Sequence, residues 1–473
     1  MQKIKQFIQN SNVLKNASLS MIGSILIRAV DLISIPIFTR ILDTTVYGRV
    51  SVFTTYVQIF TIILSLDFRG CVGKAMLEFK DEKEKFHSAA ICFSMIWTAV
   101  VIFIFNMCHG LAERLLAMNH LEMNILLIYS FVYFVVNYKS VEYIFSLEYK
   151  KNLIMNMAVA GGNLVLSVIL VLSIFSDNRF LGRIVGATVP TLLIAIVIMV
   201  SYFKKGKTLW KWEHIKYALK FSVPLIPHNL SHLILSNSDR VMIQGMISNA
   251  ASGVYSLTYN VGLMMHVVTE GAYNVWNPLL YRRLEENEDA IVKRHARIFL
   301  VGFTIVAIGV TGVSPEIIKI IAGRDYWGGI DLVMWVCLST YFTFVYQLYV
   351  NVEFYCKKTA WISSGTVMAA VVNILLNLYG LPIWGYEFAA VSTVISYAAL
   401  VIFHCIVLNV VIRKKVIDNV FSLTIAAVMV AVTGSLHMVR NNLGLRFLAL
   451  VIWELIFGAL LLILLKRERQ YTK

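Results

Sequence analysis

Residues 88–107 have the sequence SAAICFSMIWTAVVIFIFNM, which contains no charged side chain. Such a run of about 20 apolar residues is long enough, as a helix, to cross the hydrocarbon core of a bilayer. Similar runs, separated by short polar breaks, fill a 473-residue chain that is 58% hydrophobic and only 15% charged. Globular proteins carry about 25% charged residues. The sequence therefore predicts an all-α polytopic membrane protein, with too little chain between the runs for a soluble catalytic domain.

Fourteen candidate transmembrane spans cover most of the chain. The positive-inside rule tests the set, because a missed or spurious span would exchange the sides of every later loop. Loops and tails on the side of the N-terminus carry 29 Lys and Arg residues, and loops on the other side carry 8. We therefore expect both termini in the cytoplasm. The predicted spans are residues 15–38, 46–66, 88–107, 124–147, 153–174, 183–203, 222–246, 253–276, 297–318, 329–353, 361–380, 386–411, 420–438 and 445–465.

Spans 1 to 6 and spans 7 to 12 resemble two copies of one unit. A shift of 205 residues aligns Val46–Ser51, after span 1, with Ala251–Ser256, after span 7. Six spans in each copy preserve the orientation, which predicts a parallel repeat with a pseudo-twofold axis along the membrane normal. We expect an N-terminal lobe over residues 1–206, a C-terminal lobe over 207–411, and two extra helices with a cytoplasmic tail over 412–473.

The first span of each copy carries an acid and a base, which are Arg28 with Asp31 and Asp239 with Arg240. A charge near the membrane centre costs about 2.5 to 3.5 kcal/mol on insertion scales, so such residues usually face water or a partner. Neutralised structural pairs are one interpretation. Function is favoured, because the feature occurs in both copies, at the interface where transporters built from repeats place their substrate.

Three further groups of residues inside the spans are candidates. Lys139 and Glu142 lie three residues apart in span 4, where a structural pair and a functional site are equally good interpretations. Glu270 adds an acid in span 8, and we predict that it, Asp31 or Asp239 couples transport to a proton or sodium gradient. Prolines break helical hydrogen bonding and allow bending. The predicted hinge residues are Pro36, Pro224 and Pro227.

Two segments of the chain have a distinctive sequence. One runs from Ser34 through Pro36 to Leu42 with Tyr47-Gly48 after it, and the other is Pro224–Pro227 followed by Asp239-Arg240. They resemble the N-terminal signature and the seventh span of polysaccharide flippases of the Wzx, or O-antigen, type. That family belongs to the multidrug/oligosaccharidyl-lipid/polysaccharide exporter superfamily. The resemblance implies two six-helix lobes around a central cavity that opens alternately to each side and moves a lipid-linked oligosaccharide across the membrane.

The resemblance also implies roles for the basic residues. Related lipid II flippases have a cationic cavity with arginines on the first helix of each lobe, which suggests that Arg28 and Arg240 bind substrate, and we add Lys139. The diphosphate of an undecaprenyl-diphosphate sugar is strongly anionic and suits charge-assisted hydrogen bonds from arginine. The alternative function is a cation-coupled multidrug exporter of the same fold, with Asp31 as its ion-binding acid. Arg28 and Arg240 argue against cationic drugs.

Several other classes of protein and partner are not expected. A membrane polymerase or glycosyltransferase would need a large outward loop or an acidic metal-binding motif, so we do not expect an enzyme. The six cysteines form no C-x-x-C pair, which predicts neither a zinc site nor a disulfide framework, and no cofactor is indicated. The net charge of +15 comes from basic blocks that flank spans rather than from a nucleic-acid-binding domain. Expected partners are membrane lipids, the coupling ion and other polysaccharide-assembly proteins of a bacterial cytoplasmic membrane.

Overall fold

The computed structural model describes Val30 and residues 32–471, and this part of the chain is helical without β-strands. The first helices are α1 (Leu32–Ile41), α2 (Thr44–Ser65), α3 (Val72–Glu78), α4 (Lys83–Met107), α5 (His109–Leu116), α6 (His120–Phe145), α7 (Tyr149–Leu172), α8 (Arg179–Gly206) and α9 (Trp212–Ser222). They are followed by α10 (Ile226–Met246), α11 (Asn249–Glu285), α12 (Asp289–Ile321), α13 (Ile330–Tyr355), α14 (Thr359–Trp384), α15 (Phe388–Ile406), α16 (Asn419–Met438) and α17 (Leu443–Tyr471).

Within the described chain, eleven helices are long and apolar enough to cross a membrane, and these are α2, α4, α6, α7, α8 and α12 to α17. The chain is thus an all-α polytopic membrane protein, as predicted. The remaining three predicted spans differ in character. Helices α10 and α11 lie at predicted spans 7 and 8 but are less apolar, because they carry the polar site residues described below. Helix α1 is the described end of span 1, most of which lies outside the described residues.

The packing divides the described chain into two compact units. Residues up to Leu233 form unit 1, and residues from Ile234 onward form unit 2, so that the division falls within α10. The lobe boundaries predicted from the sequence, at residues 206 and 411, stay predictions.

In unit 1, a partly buried ion pair fixes the beginnings of α2, α6 and α8. The Arg49 guanidinium of α2 donates to both carboxylate oxygens of Glu122 at 2.8 and 3.0 Å and lies 4.1 Å from the ring centre of Phe180 in α8. Glu122 also completes a capping box with Asn119 at the first turn of α6. Charge-assisted bidentate bonds and helix caps are among the stronger local determinants of structure. One cluster of side chains therefore aligns three helices.

In unit 2, α13 is the central helix. Phe344 of α13 stacks on Phe303 of α12 with ring centres 3.7 Å apart, and the Tyr273 hydroxyl of α11 donates to the Phe344 carbonyl oxygen at 2.6 Å. Aromatic packing of this kind adds about 0.5 to 1.5 kcal/mol per pair beyond the burial of area. Three helices are thus held around one buried aromatic cluster.

The two units repeat at their helix starts. Asp43 precedes α2 and accepts from the Val46 N–H at 2.8 Å, and Ser248 precedes α11 and accepts from the Ala251 N–H at 3.1 Å. These N-caps are separated by the 205-residue shift found in the sequence. An N-cap fixes the first turn of a helix, so the sequence match identifies equivalent helix starts.

Candidate functional site

Asp239 of α10 is the most deeply buried acid among the predicted site residues that the structure describes, with 1% of its surface exposed. Its carboxylate accepts three hydrogen bonds from other helices of unit 2. The Tyr255 hydroxyl of α11 donates at 2.6 Å, the Asn377 side-chain amide of α14 at 2.6 Å, and the Thr393 hydroxyl of α15 at 2.7 Å. We call Asp239 and these three partners the Asp239 cluster.

A second layer of polar side chains orients the cluster. Asn373 and Asn377 lie four residues apart on α14, so they share one face of the helix, and Asn377 donates to Asn373 at 3.3 Å. Ser392 donates to the side-chain oxygen of Asn377 at 2.6 Å, and Ser238 donates to the side-chain oxygen of Asn373 at 3.1 Å. Each side chain is held by a neighbour, which fixes the positions of the oxygen atoms around Asp239.

The chemistry of the Asp239 cluster follows from its partners, all of which are neutral. Isolated burial of an ionised carboxylate is unfavourable, and neutral donors offset only part of that cost. Within the described residues no cation forms an ion pair with Asp239. The carboxylate and hydroxyl oxygens suit a hard cation, and the carboxylate alone suits a proton. The arrangement can therefore take up a small cation or a proton.

Arg240 follows Asp239 but has different neighbours, because adjacent residues of a helix do not face each other. Its guanidinium lies 5.1 Å from the ring centre of Tyr259, and one terminal nitrogen is 3.5 Å from the Asn260 side-chain oxygen. The Arg240 Nε is buried without a hydrogen-bond partner in the described chain, and no carboxylate there pairs with this side chain, which is 7% exposed in the folded chain. A buried guanidinium without a carboxylate partner is stabilised when an anion binds to it.

Lys139 of α6 has a different environment in unit 1. Its Nζ is 2.9 Å from both carboxylate oxygens of Glu142, one turn along the same helix. It also lies 4.7 Å from the ring centres of Tyr143 and Tyr202, and the Tyr202 hydroxyl donates to Glu142. The structure thus shows the pair that the sequence allowed. A substrate-binding role for Lys139 stays a prediction.

The other predicted ion-coupling and hinge residues are dispersed. Glu270 is about half exposed, and its carboxylate is 3.4 Å from Nδ1 of His266 on α11. Pro36 lies within α1, where its carbonyl oxygen accepts from Arg40 at 2.8 Å. Arg28 and Asp31 lie outside the described residues.

Pro224 and Pro227 lie at a helix boundary, whereas the predicted span 7, over residues 222–246, contains both of them. Pro224 is in a 3₁₀ turn over Val223–Leu225, and α10 begins only at Ile226. Proline is well tolerated in the first turn of a helix, where the amide needs no helical acceptor. These prolines separate α9 from α10, and bending at this joint stays a prediction.

Sequence reasoning missed the partners of Asp239, which are Tyr255, Asn377 and Thr393. One signal was present, since Asn373 and Asn377 occur with helical spacing in an otherwise apolar predicted span. Two amides on one face of such a helix indicate a buried polar contact. Tyr255 and Thr393 gave no such signal, because hydroxyl residues are common throughout these spans.

Comparison with known proteins agrees with this architecture. The sequence pattern of the polysaccharide biosynthesis protein family matches residues 13–284, more than half of the chain. The chain belongs to this family. Two curated proteins of Haemophilus influenzae are also similar. An Lsg locus protein is 21% identical over 376 residues, 76% of this chain and 90% of that protein. A membrane protein is 21% identical over 373 residues, 77% of this chain and 89% of that protein.

Solved structures show the same fold. The lipid II flippase MurJ in an inward closed conformation superimposes with a TM-score of 0.67 at 15% identity, covering 93% of this chain and 98% of that chain. An inward-facing multidrug resistance MATE family transporter of the MOP superfamily superimposes with a TM-score of 0.60 at 10% identity, covering 82% and 95%. The family match confirms the resemblance to polysaccharide flippases of the Wzx type. The fold of this chain is therefore the one that these two solved structures share.

Proposed function

We propose that this protein moves a polyprenyl-diphosphate-linked oligosaccharide, with undecaprenyl as the lipid, across a bacterial cytoplasmic membrane by alternating access. The product would be used for surface polysaccharide. Membership of the polysaccharide biosynthesis family supports the pathway, and the transporter fold supports translocation rather than catalysis. The proposal includes the predicted topology, with both termini in the cytoplasm, and the lobes predicted over residues 1–206 and 207–411.

The environment of Arg240 is the observation that supports an anionic substrate. A buried guanidinium without a carboxylate partner in the described chain attracts anions and repels cations. The diphosphate of a polyprenyl-linked sugar offers several anionic oxygens, which a planar guanidinium can bind through two parallel hydrogen bonds. A cationic drug would instead meet an uncompensated positive charge. We assign the same role to Arg28 in span 1 and a subsidiary one to Lys139.

We further propose that the Asp239 cluster couples transport to a cation gradient. Coupling by a carboxylate requires that its proton or bound ion exchange between the two open states. Asp239 is buried among neutral donors, so uptake of sodium or a proton would neutralise it. Glu270 is half exposed beside His266, so neutralising its carboxylate would stabilise it less than neutralising the buried carboxylate of Asp239. Asp31 stays a further candidate.

Deletion of the gene tests the substrate. The deletion strain should accumulate lipid-linked glycan on the cytoplasmic leaflet and lose its surface polymer, and the wild-type gene should restore both. The alternative exporter of cationic drugs predicts drug sensitivity with normal surface polymer. That result would reject the proposal, because the two phenotypes are measured in one strain.

A further inference from the structure

Three side chains with metal-binding atoms converge beside the turn that joins α5 to α6 in unit 1. His109 and Glu113 lie four residues apart on α5, and His120 is the first residue of α6. One ligand atom from each of the three lies within 4.8 Å of the others. Both histidines are exposed and Glu113 is partly exposed, so an ion from solution could reach them.

The distances in this His109–Glu113–His120 group fit a shared ion better than direct hydrogen bonds. Nδ1 of His109 is 3.5 Å from Oε1 of Glu113, and Nδ1 of His120 is 3.6 Å from the same oxygen. Hydrogen bonds from nitrogen to oxygen are about 2.7 to 3.2 Å long. Ligands around a tetrahedral zinc ion, each about 2.0 to 2.1 Å from the metal, are about 3.4 Å apart. The two distances between imidazole and carboxylate are close to the tetrahedral value, and all three ligand atoms lie within 4.8 Å of one another.

The backbone holds these ligands in place without an ion. Ala117 has a left-handed conformation, with φ of 52°, which ends α5 and turns the chain back toward it. Asn119 and Glu122 then form the capping box that starts α6 at His120. Glu122 is in turn bound by Arg49 of α2. Because both helix ends are fixed, little ordering is required when an ion binds.

A second contact fixes the distance between the helices that flank α5. Asn106 of α4 and Asn124 of α6 donate to each other at 2.9 and 3.2 Å. The Asn124 amide also donates to the His120 carbonyl oxygen at 2.9 Å, so the residue that ties the helices together also holds His120. The group thus lies on a braced hairpin rather than on a free loop.

We propose that His109, Glu113 and His120 bind one zinc ion, with water as the fourth ligand. Two imidazoles and one carboxylate form a ligand set that suits zinc, whereas magnesium and calcium prefer oxygen ligands. The ion would join α5 to α6 near the C-terminal end of α4, which is at Met107. The scattered cysteines predicted no zinc site, whereas the His-x-x-x-Glu spacing of His109 and Glu113 places two possible ligands on one face of a helix. The site is independent of the proposed substrate.

Zinc binding to the purified full-length protein tests the proposal. The protein, prepared without a polyhistidine tag and stripped with a chelator, is titrated with zinc against a chelating dye. Cobalt titration in parallel reports tetrahedral geometry through its visible spectrum. The variants are His109→Ala, Glu113→Gln and His120→Gln. The matched control is His295→Ala. His295 also lies beside a glutamate, with Nε2 3.2 Å from Glu468, but Arg294 binds the same carboxylate, so we expect no zinc there.

Wild type and His295→Ala should each bind one zinc ion per chain and give an intense cobalt band. Loss of any one ligand should weaken zinc binding by about 100-fold or more, since even changes in the residues that support metal ligands cost 10- to 100-fold. Gel filtration and circular dichroism confirm that each variant is folded. Absence of stoichiometric zinc on the wild type would overturn the proposal, and so would unchanged affinity in the His109 and His120 variants.

Discussion

An acid and a base occur close together in α6 of unit 1 and in α10 of unit 2, but the two pairs have different environments. Lys139 and Glu142 are three residues apart and bond to each other. Asp239 and Arg240 are adjacent, so their side chains point in different directions and meet different neighbours. The first arrangement neutralises both charges within one helix. The second arrangement leaves each charge available for an external partner. The number of residues between the acid and the base therefore determines whether they neutralise each other.

The largest expected effect is on stability, and it belongs to unit 1. Lys139→Ala removes one partner of a buried pair and leaves the Glu142 carboxylate with the Tyr202 hydroxyl. Breaking such a pair costs about 3 to 5 kcal/mol of unfolding free energy. The double variant Lys139→Met with Glu142→Gln should recover most of the loss. Unfolding in detergent measures both, and an unchanged single variant would show that the pair is not structural.

Arg240 should give the next largest effect, and it should appear in export. Arg240→Ala should reduce export by at least about 30-fold, the equivalent of about 2 kcal/mol for a buried charged contact. Arg240→Lys should restore export only in part, because lysine provides a point charge rather than a planar fork. Arg282→Ala, at an exposed pair with Glu286, is the control. Normal surface polymer in the Arg240→Ala strain would place this residue outside the transport pathway.

Asp239→Asn should separate coupling from stability. All partners of Asp239 are neutral, so the variant should lose only about 1 kcal/mol of unfolding free energy, the value of one hydrogen bond. Its transport in proteoliposomes should no longer respond to a sodium or pH gradient, whereas wild type responds to one of them. A gradient response equal to that of wild type would exclude Asp239 as the coupling residue.

The smallest effect is expected at an exposed pair of unit 1. Hydrogen bonds from Lys211 and Lys85 lower the pKa of Glu82 to about 2. The contribution of these contacts to stability is therefore complete near neutral pH and is lost as the pH falls from about 4.5 toward 2. Lys211→Ala should lower the melting temperature slightly at pH 7 and by much less near pH 2, where about half of Glu82 is protonated. An equal decrease at both values would mean that Lys211 acts by packing.

The sequence predicted the fold because membrane helices follow from continuous apolar length, as in residues 88–107, which lie within α4. It also located equivalent helix starts, since Asp43 and Ser248 are both short side chains that can cap a helix. The polar helices α10 and α11 were harder to delimit, because α10 starts after Pro224 and α11 continues to Glu285.

The sequence predicted only part of the candidate site. Asp239 and Arg240 were identified because charges inside an apolar span are costly. The partners of Asp239 on α14 and α15 are 138 and 154 residues away along the chain, and packing alone brings them together. Sequence spacing showed that Lys139 and Glu142 can reach each other, whereas the structure shows that they pair. Arg28 and Asp31 have the same spacing as Lys139 and Glu142, and they lie outside the described residues. Their roles therefore stay predictions.

Direct binding of the lipid-linked sugar tests the central proposal most directly. Purified wild type, Arg240→Ala and the control Arg282→Ala are each titrated with a short-chain polyprenyl-diphosphate saccharide, with an uncharged polyprenyl saccharide and with a lipophilic cation. We predict that wild type and Arg282→Ala bind the diphosphate ligand preferentially, and that Arg240→Ala binds it at least about 30-fold more weakly. Equal affinity of Arg240→Ala for the diphosphate, or preferential binding of the cation by wild type, would contradict the account.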